Sequence, residues 1–154
     1  MAQGVKWPFE IPIHPLRGRK NAKMTVMTGS CHCGAVRFRA EATATHLVRC
    51  NCSLCHAKGA LLIPIGEIQS FEILEGEAEL TSYRFNSGVA EHLFCRRCGI
   101  HPFHRPRFDP RRWSVNARCL DAGLPDLPIE EFDGQNWEKA ARAEGWQPPE
   151  SPAE

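Results

Sequence analysis

The sequence predicts a small, mainly β domain closed by one short C-terminal helix. Two observations carry this: short runs in which apolar and polar residues alternate, and a single late stretch rich in alanine and glutamate. The chain has 154 residues, 42% hydrophobic and 24% charged, enough for one domain with a real core.

Residues 1–23 read as an extended leader, because Pro8, Pro12 and Pro15 block regular structure. The domain is expected over 24–145 and a loose tail over 146–154. Met24 and Met27 stand at the head of the domain, where translation could equally begin. Residues 35–40 alternate with the period of a half-buried strand, and 46–49 lead into a cysteine cluster. Residues 60–65 form an apolar run in which Pro64 argues for an edge or bulge. Residues 71–74 and 80–85 are two strands separated by a turn over 75–79. Residues 89–94 alternate and deliver Cys95, and 101–105 and 113–117 are further strands. Residues 136–144 favour helix, with Gly145 as its stop.

Charge is unevenly placed. The leader carries Lys6, Arg17, Arg19, Lys20 and Lys23 against Glu10, a net of +4, which leaves 14 basic against 17 acidic residues beyond it. Such a domain is not a basic nucleic-acid binder, and no partner of that kind is expected. No run of 18 apolar residues exists, so no membrane span is expected, and the leader lacks the apolar segment of a secretory signal. A cytoplasmic location follows as the expectation.

Eight cysteines in a reducing compartment point to metal or redox chemistry rather than disulfides. Seven fall in three groups: Cys31 and Cys33, then Cys50, Cys52 and Cys55, then Cys95 and Cys98 followed by Gly99. In a strand, a C-x-C pair aims both sulfurs at one face. A C-x-x-C turn with a following glycine curls two thiolates around one ion. Zinc suits soft thiolates in a tetrahedral site. A C-x-x-C redox pair is the weaker alternative, lacking its usual βαβ setting, and an iron–sulfur cluster is weaker still in a β-rich chain. Four ligands plus three is the division of interest, since a three-cysteine site keeps one coordination position open. Spacing alone does not say which cysteines share an ion.

Residues 29–38, 50–55 and 94–101, each built around one cysteine motif, follow one another at separations that resemble the glutathione-dependent formaldehyde-activating enzyme and centromere protein V family. The segment from Phe132 to Trp137 resembles the ending of its short bacterial-type members. The resemblance spans about residues 27–140. It implies a β-tent-like fold pinned by zinc and carbon–sulfur lyase chemistry that joins formaldehyde to glutathione or releases it. It further implies two Zn²⁺ per chain: a structural ion on Cys31, Cys33, Cys95 and Cys98, and a catalytic ion on Cys50, Cys52 and Cys55. The expected partners are a small thiol such as glutathione and an aldehyde. The segment from Ile100 to Phe103 departs from the family's founding enzyme.

Further candidates near the three-cysteine group are His56 and Lys58, either of which could offset negative charge or carry a proton. His101 and His104 follow the last cluster. His92 reads as a sheet-face residue, His32 as a surface residue, and Cys119 as a small buried hydrophobe. Arg105, Arg107, Arg111 and Arg112 form a basic patch that could attract a glutathione carboxylate, or simply a solvated loop. The competing reading of the whole is a non-catalytic, zinc-stabilised module that binds a protein or nucleic acid.

Overall fold

The computed structural model describes residues 23–147, so nearly all of the expected leader and tail lies outside the described residues. The elements run β1 (Thr25–Ser30), β2 (Arg37–Ala42), β3 (Leu47–Cys50), α1 (Ser53–Lys58), β4 (Leu62–Ile63), β5 (Ile68–Glu75), β6 (Leu80–Tyr83), β7 (Glu91–Cys95), β8 (Phe103–Arg105), β9 (Ser114–Asn116), β10 (Ile129–Phe132) and α2 (Trp137–Ala143). They form a three-stranded sheet, β1-β2-β5, and a seven-stranded sheet, β10-β3-β4-β9-β8-β7-β6. The mainly β class with a short C-terminal helix is what the sequence predicts. Among the described residues no helix is long and apolar enough to cross a membrane.

The alternation expected for 35–40 is observed two residues later. In β2, Phe38, Ala40 and Ala42 are buried while Arg37, Arg39 and Glu41 lie half-exposed on the other face. Phe38 is the centre of an aromatic core that joins the sheets. Its ring stacks on Phe71 of β5 at 5.9 Å and meets Phe103 of β8 edge-on at 5.6 Å. Phe71 in turn stacks on Trp113 at 4.6 Å. Such pairs add about 0.5–1.5 kcal/mol each beyond the area they bury.

Three elements were not expected from the sequence. α1 has six residues, too few to display a helical period against the surrounding cysteines. β1 exposes Val26, as does Met24 just before it, and shows no clean apolar face, so its pairing with β2 rather than its own pattern makes it a strand. β10 reads Ile-Glu-Glu-Phe and is an edge strand, defined by parallel pairing with β3 that sets Phe132 opposite Cys50. The strand expected over 80–85 ends at Tyr83, and the one expected over 101–105 begins at Phe103.

Candidate metal centres and the adjoining cleft

The first cluster joins the two sheets. Cys31 and Cys33 follow β1 in a tight turn rather than in a strand, which corrects the expectation for the C-x-C pair. The Cys31 N–H donates to the Val36 carbonyl at 3.0 Å, and the Val36 N–H donates to Cys31 Sγ at 3.3 Å. Cys95 ends β7. The chain then folds back so that the Gly99 N–H reaches the Cys95 carbonyl at 2.7 Å, with Gly99 at φ 77°, a conformation suited to glycine. Between these cysteines, Arg96 and Arg97 grip Glu79 at 2.7 and 2.9 Å. Hydrogen bonds from Arg97, then Arg96, pull the Glu79 carboxyl down to about 2.

Cys31, Cys33, Cys95 and Cys98 thereby present four sulfurs within 4.8 Å of one another. Cys31 and Cys33 are 3.6 Å apart, and Cys33 and Cys95 are 3.7 Å apart. A tetrahedron with zinc–sulfur bonds of about 2.3 Å has edges of about 3.8 Å. A disulfide needs about 2.05 Å. The spacing therefore fits thiolates sharing one ion.

The second cluster lies where β3 meets α1. Cys50 ends the strand, Cys52 caps the helix and Cys55 sits in its first turn. The Cys52 N–H donates to Cys50 Sγ, and the Cys55 N–H to Cys52 Sγ, both at 3.4 Å. Hydrogen bonds from Cys50 and Cys55 pull the Cys52 thiol down to about 2, while the same contacts push Cys55 up. All three lie within 4.8 Å, and among the described residues no fourth His, Cys, Asp or Glu joins them. Cys119 stands apart. Burial pushes its thiol up to about 11, and its sulfur lies 3.9 Å from the His101 carbonyl.

A loop that sequence reasoning left without a role holds the second cluster. The Asn51 N–H donates to the Phe132 carbonyl, and Asn51 Nδ2 to Asp133 at 3.0 Å. Gln135 donates its N–H to Asn51 Oδ1 at 2.9 Å and its side-chain amide to the Asn51 carbonyl at 3.2 Å. Gly134 packs so closely that a Cβ there would meet Cys50 Sγ at 2.3 Å. Gly134→Ala is expected to displace that sulfur and weaken metal binding at this cluster about 10–100-fold, the range for altered support of a ligand. Chelator competition checks this, with an unchanged circular dichroism spectrum as the control for folding.

A cleft of about 330 Å³ runs between α1 and the segment after Cys98, lined by Leu54, Ala57, Lys58, Gly99, Ile100, His101 and Asn116. Lys58 and His101 thus share this cleft. His56 is exposed and lines a separate cleft of about 250 Å³ with Cys50, Arg49 and Arg118. His92 and His104 are buried on adjacent strands and stack at 5.3 Å. His32 is exposed, as expected. The arginine patch is already engaged. Arg105 lies over Trp113 at 3.9 Å and Arg107 over Trp137 at 4.1 Å, while Arg111 pairs with Asp109 and Arg112 donates to the Ile68 carbonyl.

Burial, then the charge of Lys58, lowers His92 to about 4 and drives His104 well below its ordinary value. In the unfolded chain both titrate near 6.5. As pH falls the unfolded state takes up protons first, so stability is complete above about pH 6.5 and is lost towards pH 4. Each ring adds a slope of at most about 1.4 kcal/mol per pH unit. His104→Gln is expected to remove one ring's share of the slope between pH 4.5 and 6.5, measured by urea unfolding in excess metal. An unchanged slope contradicts this.

Comparisons with known proteins bear on the family of this chain. The family model described as glutathione-dependent formaldehyde-activating enzyme matches residues 26–134. A protein of Halomonas elongata described as a "Putative glutathione-dependent formaldehyde-activating enzyme" is 30% identical over 115 residues, covering 67% of this chain and 71% of that one. The crystal structure of a Rhodobacter sphaeroides protein superposes with a TM-score of 0.56 at 34% identity, covering 68% of this chain and all of the other.

Proposed function

Because the chain belongs to the glutathione-dependent formaldehyde-activating enzyme family, we propose that it is a zinc-dependent carbon–sulfur lyase acting on the adduct of a thiol, such as glutathione, with an aldehyde such as formaldehyde. The supporting observation is the unequal division of sulfur, four in one cluster and three in the other. In this reading Cys31, Cys33, Cys95 and Cys98 hold a structural ion, and Cys50, Cys52 and Cys55 hold a catalytic one. A zinc ion on three thiolates supplies a Lewis acid that favours the thiolate form of an incoming thiol.

The chain's own residues do the rest. Asn51, Asp133 and Gln135 keep the three cysteines in place. Three thiolates and one divalent ion carry a net charge of −1, and the half-buried ammonium of Lys58, three residues after Cys55, offsets it. In the joining direction the thiol sulfur bonds to the aldehyde carbon. The carbonyl π pair passes to oxygen, and the proton lost by the thiol ends there. The reverse direction breaks the same sulfur–carbon bond, and nothing is oxidised in either.

Nuclear magnetic resonance exchange with ¹³C-formaldehyde and glutathione tests the proposal. The metal-loaded protein is expected to speed exchange between free and thiol-bound carbon, and chelation to abolish the effect. Exchange at the uncatalysed rate with both clusters loaded contradicts it.

A further inference from the structure

We propose that the outer edge of β6 is an interface for a second copy of this chain, joined by antiparallel pairing of β6 with β6 about a two-fold axis at Ser82.

The first observation is an edge left without protection. β6 is the last strand of the seven-stranded sheet and reads Leu-Thr-Ser-Tyr, with no charge and no proline. Sheet edges are normally blunted by charges, prolines or a covering segment, because their unpaired main-chain groups recruit another strand. The other edges have such devices. β10 carries Glu130 and Glu131 in its four residues. β5 carries Glu72 and Glu75, and Arg112 donates to its Ile68 carbonyl. The edge of β1 is partly covered, since Gly29 bridges Leu120 and the Asp121 N–H donates to the Thr28 carbonyl at 2.9 Å.

The second observation is the phase of the ladder. The Arg96 N–H donates to the Glu79 carbonyl at 2.9 Å, and Thr81 and Tyr83 lie opposite Phe94 and His92 in phase with that bond. Directly opposite residues alternate between bonded pairs and pairs whose groups point away. Leu80, Ser82 and Arg84 therefore turn their main-chain groups outward. The Leu80 N–H is taken by the Glu77 carbonyl. The Leu80 carbonyl, the Ser82 N–H and carbonyl, and the Arg84 N–H have no partner among the described residues. This set is self-complementary. With Ser82 opposite Ser82, the two serines exchange both bonds, and each Arg84 N–H meets the Leu80 carbonyl of the other copy.

Side chains and charge favour the same arrangement. Thr81, Ser82 and Tyr83 are exposed, and Tyr83 stacks on Phe85 at 6.0 Å. Pairing about Ser82 sets Tyr83 beside Thr81 of the other copy, an aromatic against a β-branched side chain, a stabilising cross-strand pair. Before β6, Glu75, Glu77 and Glu79 stand against Arg96 and Arg97, a net of −1. After it, Arg84 and Arg105 stand against Glu91, a net of +1. Antiparallel pairing brings the acidic end of one copy to the basic end of the other, twice. An isologous contact of this kind closes as a dimer. So short an edge makes a small interface, hence a weak, concentration-dependent one.

Sedimentation velocity on the metal-loaded full chain under reducing conditions, over a concentration series, tests this. The unaltered protein is expected to pass from monomer to dimer as concentration rises. Ser82→Lys and Ser82→Glu each set two like charges face to face, so each is expected to weaken association about tenfold or more. An equal mixture of the two variants is expected to restore dimers, because lysine then faces glutamate. Thermal melts confirm that each variant is folded. An unaltered protein that stays monomeric at about 1 mM overturns the interface. Dimers of undiminished strength in both variants place the contact elsewhere and also overturn it. Folded variants that fail to associate on mixing overturn the two-fold pairing at Ser82.

Discussion

Cys95→Ser is expected to leave most of the domain unfolded at 25 °C. Cys95 is fully buried at the end of β7, in the seven-stranded sheet, and Cys33 follows β1 of the three-stranded sheet. The contact between them closes a span of 62 residues. Cross-linking so long a loop in the unfolded chain is costly in entropy, and an ion that binds only the folded form returns that stability. Structural zinc contributes about 10–16 kcal/mol in small zinc domains, against a typical net stability of about 5–15 kcal/mol. Losing one ligand of four therefore consumes most of the margin. Near-ultraviolet circular dichroism and a chelator titration of the unaltered protein check this. Both are expected to show loss of fixed tertiary structure, whereas a folded Cys95→Ser protein with two bound metals contradicts it.

Cys52→Ser is expected to do the opposite, leaving the fold and removing the chemistry. Cys52 caps α1 through its sulfur, and serine is a preferred residue at that position, so the helix keeps its cap. The aromatic core around Phe38 and the four-sulfur cluster are untouched. The second cluster would drop to two sulfurs, and turnover should fall by more than the roughly 10–100-fold that follows loss of an outer contact. The expected result is one metal per chain, a cooperative melt close to that of the unaltered protein, and adduct exchange at the uncatalysed rate. Near-normal exchange with one metal bound would place the chemistry elsewhere.

The parts of this site that the sequence displays are those whose pattern is local. The cysteine pairs at spacings of two and three are visible directly, as is the alternation that puts Phe38 inside β2. Elements made by pairing are not visible. β10 is a strand because Phe132 lies beside Cys50, and Ile-Glu-Glu-Phe alone does not say so. α1 is hidden by its brevity, and the turn at Cys31–Cys33 by the ambiguity of a C-x-C spacing, which suits a strand equally. The cleft is the extreme case. Its walls come from 54–58, 99–101 and 116, so Lys58 and His101 line one cleft only after folding. The arginine patch misleads for the converse reason. Its charges are conspicuous in the sequence, but Trp113, Trp137 and Asp109 occupy them locally.

The central claim is that seven sulfurs hold two ions unequally. X-ray absorption at the zinc edge, combined with metal analysis of the full chain, tests it most directly. Two zinc ions per chain are expected with an average of 3.5 protein sulfurs each, and added thiol should raise that average towards four without changing the metal count. A single ion per chain, or a fourth protein ligand already bound beside Cys50, Cys52 and Cys55, would contradict the account.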